Sequence, residues 1–234
     1  MCGRYASGAR VDELVTEFEI AEVVSGVPGP SWNVAPTDVV RAVVERHDVR
    51  SLVPMRWGLV PSWAKDPTGG ARLINARGES AAQKPSFRSA YLRRRCLLPA
   101  DGYYEWQKVG DGKQPWFIHR ADGRPLAMAG LWEVWFDDRL AKDDPARMLV
   151  TCAVLTTAAT DDLGRIHDRM PITVRPAAWA AWLDRDLQDR DEVAGLLTGD
   201  PGEGITSHPV SPAVGKVSNN TPDLVRPIEP PAGS

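Results

Sequence analysis

Hydrophobic positions in this chain gather mostly in short alternating or β-branched runs and only seldom at helical spacing. Asp38–Glu45 (DVVRAVVE), Tyr103–Lys108, Trp116–His119, Ala127–Trp135 and Met148–Thr156 read as strands, since period-two patterning suits a pleat with an apolar face. Val11, Leu14, Val15 and Phe18 instead fall at i, i+3, i+4 and i+7, one face of a helix. A second helix begins with Pro176 in its first turn and carries Trp179, Trp182 and Leu183 on one side. A third covers Asp191–Leu197 and stops before Gly199. The 20 Gly and 20 Pro are spread along the chain and cut it into short elements. The pattern predicts a strand-rich α+β fold with peripheral helices. Thr221–Ser234 is rich in proline and reads as a flexible tail, which leaves residues 1–220 as a single domain.

Composition narrows the class. With 234 residues, 43% apolar and 25% charged, the chain can bury a core without a disulfide or metal staple. No run approaches the ~20 apolar residues of a membrane span, and the opening MCGRYASGAR lacks the apolar segment of a signal peptide. A cytoplasmic protein is expected. Cys2, Cys96 and Cys152 form no CxxC pair, and the four histidines show no metal-binding spacing, so neither metal nor cofactor is expected.

Net charge is −3, but its distribution is uneven. Residues 41–100 hold twelve Lys/Arg against four Asp/Glu, whereas residues 134–203 hold eight against fourteen. Of the 28 basic residues 22 are Arg, whose planar fork suits phosphate. A basic face for nucleic acid is one reading. A codon bias toward Arg is the other.

Four places could carry chemistry. If Met1 is removed, Cys2 presents an α-amine (pKa about 7.7–8.0) and a thiol (pKa about 8.5) on one Cα. Such a 1,2-aminothiol condenses with an aldehyde and closes to a thiazolidine. A small, partly buried residue near a terminus would look the same. In Leu73–Ser80 (LINARGES), Asn75 and Arg77 could orient a substrate hydroxyl and a phosphate, or simply make a turn. Glu105 lies among aromatics in YYEW, where a raised pKa would make it a general acid; an outward strand position is equally consistent. His167, in IHDRMP, titrates near neutrality in a turn with a proline exit. Trp57 and Trp63, in RWGLVPSWAKD, suit either a base-stacking platform or a tethered loop.

These stretches together resemble the SRAP family (SOS-response-associated peptidase-like, abasic-site-processing proteins). The resemblance runs through MCGRY at 1–5, WNVAPT at 32–37, RWGLVPSWAKD at 56–66, INARGES at 74–80, the block at 87–106, IHDRMP at 166–171 and SHPVS at 207–211. It implies a β-rich pseudo-barrel of mixed and antiparallel sheets with a central positive cleft. It also implies a monomer that binds single-stranded DNA and links Cys2, after loss of Met1, to the ring-opened aldehyde of an abasic site. By that likeness Asn75 positions Cys2 and the sugar, while Glu105 and His167 assist ring opening, Schiff-base formation and reversal. Arg4, Asn33, Pro36, Trp63, Arg77, Arg88 and Arg169 would line the DNA groove.

Three other readings fit parts of the pattern. An N-terminal-nucleophile amidohydrolase also begins Met-Cys-Gly, but leaves the basic segment and IHDRMP without a role. A thiol peptidase or autopeptidase could use Cys2 with His167 and Glu105. A noncovalent reader of modified DNA would be indifferent to Cys2.

Overall fold

Alternate residues of each long strand belong to different apolar clusters. Val40, Ala42, Val44, Cys96, Leu98, Met128, Cys152 and Val154 pack in one cluster, and Val43, Leu97, Ala127, Ala129, Ala153 and Leu155 in the other. The computed structural model describes residues 2–199 and 202–229. Among these, the strands are β1 (Tyr5–Ser7), β2 (Glu22–Val23), β3 (Ser31–Val34), β4 (Val39–Arg46), β5 (Val49–Trp57), β6 (Asn75–Arg77) and β7 (Arg95–Ala100). They continue with β8 (Gly102–Val109), β9 (Gly112–Arg120), β10 (Leu126–Phe136), β11 (Met148–Ala158), β12 (Arg169–Pro171) and β13 (Ile205–Pro209). The helices are short: α1 (Val11–Glu17), α2 (Gly78–Ala81), α3 (Arg88–Arg93), α4 (Asp161–Gly164), α5 (Trp179–Leu183) and α6 (Arg190–Gly195).

The larger sheet runs β12-β11-β10-β7-β4-β5-β2. A parallel pairing of β11 with β5, Thr151 opposite Arg56 and Cys152 opposite Trp57, closes β11, β10, β7, β4 and β5 into a ring. Closure leaves those strands no free edge. The expected α+β barrel is what forms. The smaller sheet, β13-β9-β8-β1-β3, contributes Tyr5, Val34, Tyr103, Trp116 and Ile118 to the first cluster. The second cluster is covered by α1, α3, α5 and α6. There Phe18 at the end of α1 stacks on Trp179 of α5 with ring centroids 4.8 Å apart. No helix among the described residues is long and apolar enough to cross a membrane.

Two expectations change. Part of the basic surplus of residues 41–100 is interior or already paired. Arg41 and Arg95 are 2% and 3% exposed, and both guanidinium groups donate to backbone carbonyls. Arg50 pairs with Glu19 and Glu45, and Arg94 with Glu133. Their charge ties loops together and does not form a face.

The segment 221–229, expected to be loose, is docked. Leu224, 4% exposed, packs with Ala6, Tyr104, Phe117, Val210 and Val214. His208 Nε2 bonds the Val225 carbonyl at 2.8 Å, and the Ile228 amide donates to Pro209 at 3.0 Å. Prolines do not prevent this, because the wrap is held by an apolar anchor and by bonds outside any ladder. The rest of the expected tail, 230–234, lies outside the described residues. Leu224→Ala should lower the unfolding free energy by about 2–5 kcal/mol, read from urea denaturation. A variant as stable as the wild type would mean that the wrap adds nothing.

Candidate active site

The site is assembled where the N-terminal segment meets β6, β8 and the turn before β12. Asn75 is set by a close backbone approach. Gly58 (φ +127°) and Gly70 face each other so tightly that a Cβ on Gly58 would lie 2.8 Å from the Gly70 carbonyl oxygen. That contact folds the loop back, so that the Leu59 amide bonds the Leu73 carbonyl and the Trp57 indole donates to Ile74 at 2.9 Å. β6 then lies parallel to β11, with Asn75 opposite Val154. Asn75 Nδ2 donates to the carbonyl of Cys2 at 2.7 Å. Its Oδ1 is buried and meets no donor among the described residues.

Cys2 is fully buried, packed in the first cluster with Tyr5, Trp57, Tyr103 and Cys152. Burial holds its thiol well above the usual range, and the nearby Glu105 charge adds to this. Glu105 lies on β8 opposite Trp116 and is 4% exposed. Burial raises its carboxyl above the ordinary glutamate value, and the charge of His167 pulls back against that rise. Cys2, Asn75, Glu105 and His167, scattered in the sequence, are therefore brought to one place.

His167 is carried by a fastened turn. Its amide bonds the Leu163 carbonyl at 3.1 Å, and Ile166 is sunk into the core. Gln107 Oε1 accepts the Trp116 indole N–H at 2.9 Å while its Nε2 reaches the Arg165 carbonyl at 3.4 Å. The Arg165 guanidinium lies over the Trp116 ring, 5.0 Å from its centre. On the imidazole, Nδ1 accepts the Arg169 amide at 3.0 Å and lies 2.9 Å from Asp168 Oδ1. Gln107, Trp116 and Asp168 were not singled out by sequence reasoning. Only Asp168, next to His167, offered a signal there.

The residues expected to line a groove divide into two kinds. Trp63, Arg77 and Arg88 are exposed, Trp63 by 67%. Pro36 is half-buried in a turn where the Ala35 amide bonds Asp38. Asn33 is 3% exposed, and its amide donates to the carbonyls of Val214, Lys216 and Asn219. Its Oδ1 accepts from Arg4, which also donates to Val214. Asn33 thus holds the C-terminal wrap and orients Arg4, leaving it no free edge for a ligand. Arg169 forms a two-bonded pair with Glu79, at 2.7 and 2.9 Å, and donates to the Thr156 carbonyl. The pair holds the Glu79 carboxyl below the usual range. Glu79 is a further residue that the sequence reading passed over. Among the described residues no group of three or more His, Cys, Asp or Glu is placed to hold a metal.

Known proteins share this architecture. A protein from Bacteroides thetaiotaomicron of solved structure superposes with a TM-score of 0.82 at 24% identity, over 97% of this chain and 100% of its own, a likeness of fold. Abasic site processing protein YedK of Escherichia coli is 36% identical over 233 residues, 97% of this chain and 100% of YedK. Abasic site processing protein YoqW of Bacillus subtilis is 34% identical over 227 residues, 96% of this chain and 99% of YoqW. Abasic site processing protein HMCES of Gallus gallus is 35% identical, covering 86% of this chain and 67% of HMCES. Residues 1–217 match the family described as SOS response associated peptidase (SRAP), and the chain belongs to that family.

Proposed function

We propose that this protein processes abasic sites in DNA by linking Cys2, after removal of Met1, to the ring-opened deoxyribose aldehyde in single-stranded DNA. The observation that carries the reading is the bond from Asn75 to the Cys2 carbonyl, which fixes that residue beside Glu105 and His167. The order of steps follows from the thiol. Burial keeps it protonated, so the α-amine attacks first. Amine and aldehyde condense to an imine and release water. The sulfur then adds to the imine carbon, and its proton passes to the nitrogen, giving a thiazolidine. That last step makes the carbon sp³ and removes the electron sink that would otherwise promote β-elimination and strand cleavage.

Glu105, whose carboxyl stays protonated to higher pH than usual, suits the proton donations of ring opening and dehydration. His167 suits the complementary base. Exposed Arg77 and Arg88 suit phosphate, and exposed Trp63 suits a stacked base. Selectivity needs no base readout, since intact nucleotides offer no aldehyde. Removal of Met1 by the same residues is part of this proposal. Peptidase action on other proteins draws less support, because removal of Met1 is intramolecular, whereas a separate chain would have to reach a fully buried Cys2.

A single-stranded oligonucleotide with one uracil, treated with uracil-DNA glycosylase, tests the reading. The wild type should give a band that survives SDS, absent with the untreated oligonucleotide and with Cys2→Ala. Asn75→Ala, which loses one hydrogen bond, should slow adduct formation about 2–10-fold. No adduct from protein whose intact mass shows a free Cys2 would sink the reading.

The carboxyl raised by burial sets a second expectation. Because the folded value of Glu105 lies above the unfolded one, its contribution to stability is full below the ordinary glutamate range. It is then lost as pH rises through the folded value. Wild type should therefore lose stability relative to Glu105→Gln over the pH window above the ordinary glutamate value of about 4.3, in urea titrations at several pH values. A constant difference across that window would contradict the assignment.

A further inference from the structure

We infer that Asp168 is a positioning residue that selects the tautomer of His167, so that the imidazole can present a basic Nε2 to the reacting sugar. The inference rests on the covalent reading above and deepens it. Its basis is a conflict at one atom. The Arg169 N–H donates to His167 Nδ1 at 3.0 Å, which requires a lone pair there. The Asp168 carboxylate stands 2.9 Å from the same nitrogen, and an ionised carboxylate only accepts, which requires a proton there. One nitrogen cannot satisfy both at once, so the two neighbours favour different states of the ring.

With Arg169 as its partner, neutral His167 carries its proton on Nε2 and has no lone pair to offer on that side. With Asp168 as its partner, Nδ1 keeps a proton. The neutral ring then has its lone pair on Nε2, and the charged ring donates from Nε2. The Asp168 state thus permits proton transfer both ways at Nε2, as a carboxylate behind a catalytic histidine does elsewhere.

The surroundings favour an exchange between the states. The Arg169 amide is fixed at the start of β12, and the Asp168 backbone is fixed by the Ala159 amide on its carbonyl at 2.9 Å. The Asp168 side chain is free to turn, with 86% of it exposed. The other charged groups about the turn are Glu105 on β8, the Arg165 guanidinium over Trp116, and Arg169, whose guanidinium is held by Glu79. Asp168 is therefore the carboxylate the fold sets against Nδ1. Because it is exposed, its influence is modest, and an adjacent exposed pair of this kind supports an effect of about three- to five-fold on the step that uses Nε2.

Two readouts test this on the full chain. Nitrogen chemical shifts of the His167 ring, in protein labelled at histidine, report which nitrogen holds the proton. Single-turnover adduct formation on the glycosylase-treated oligonucleotide, followed from pH 5.5 to pH 8.5, reports the rate. Asp168→Asn should shift the ring toward the Nε2–H form, slow the adduct about three- to five-fold and displace the pH profile to lower pH, with Asp168→Glu restoring most of the rate. Identical ring shifts and overlapping pH profiles for wild type and Asp168→Asn would overturn the inference. Loss of rate without a change of tautomer would also overturn it, since that is what a structural role predicts. A wild type that makes no adduct would instead remove the covalent reading, and this role with it, and is recognised from the wild-type lane alone.

Discussion

Tyr5 is hydrogen-bonded into the sheet on both sides, opposite Val34 on β3 and Tyr103 on β8, and the remainder of the site depends on that double pairing. A strand of three residues at a chain end would ordinarily fray. Here Tyr5 is 1% exposed and meets Trp57 edge to face, with ring centroids 5.2 Å apart. Beyond it, Cys2 is held by Asn75 from β6, an element that itself rests on the closed barrel through β11. The result is that Cys2 is fixed by strands of both sheets. On the covalent reading proposed above, an aldehyde would meet there a nucleophile with little freedom left to lose, the entropic part of rate enhancement.

The interior around Cys2 is also low in permanent charge. Burial raises the thiol of Cys2, the phenols of Tyr5 and Tyr103 and the carboxyl of Glu105, so each favours its neutral form. An environment of this kind disfavours free thiolate and favours paired proton transfers, with His167 and its two Nδ1 neighbours at the rim. It also explains why the arginines nearest the core, Arg41 and Arg95, are surrounded by carbonyl oxygens. Such dipoles satisfy a guanidinium without adding a second buried ion.

Much of the fold was legible in the chain, and the failures have physical causes. β4, β8, β9, β10 and β11 each matched an alternating or β-branched run, because successive residues of each are buried against different apolar layers. β5 was not recognised. Its hairpin turns at His47 and Asp48, both with positive φ, where an Asn-Gly pair would have given the signal, and Pro54 interrupts the strand. β7 carries Pro99 and opens on the last of three consecutive arginines, so its pattern resembled a loop. At the site, Cys2, Asn75, Glu105 and His167 were named from local chemistry and from the family resemblance, and they converge. Gln107 and Trp116 could not be named, since their importance arises only when β8 and β9 meet the turn at Arg165. Asn33 was named, but as a groove residue; its bonding to carbonyls about 180 residues further along the chain could not be read from the sequence.

Arg4 donates to the carbonyl of Val214, 210 positions away, and Tyr5 cannot complete its sheet before Tyr103 exists. A chain made from its N-terminus therefore leaves Arg4 and Tyr5 without their partners until residues 103 and 214 have been made. The strand nearest the start of the chain is thus completed only by long-range partners, one of them 210 positions further along.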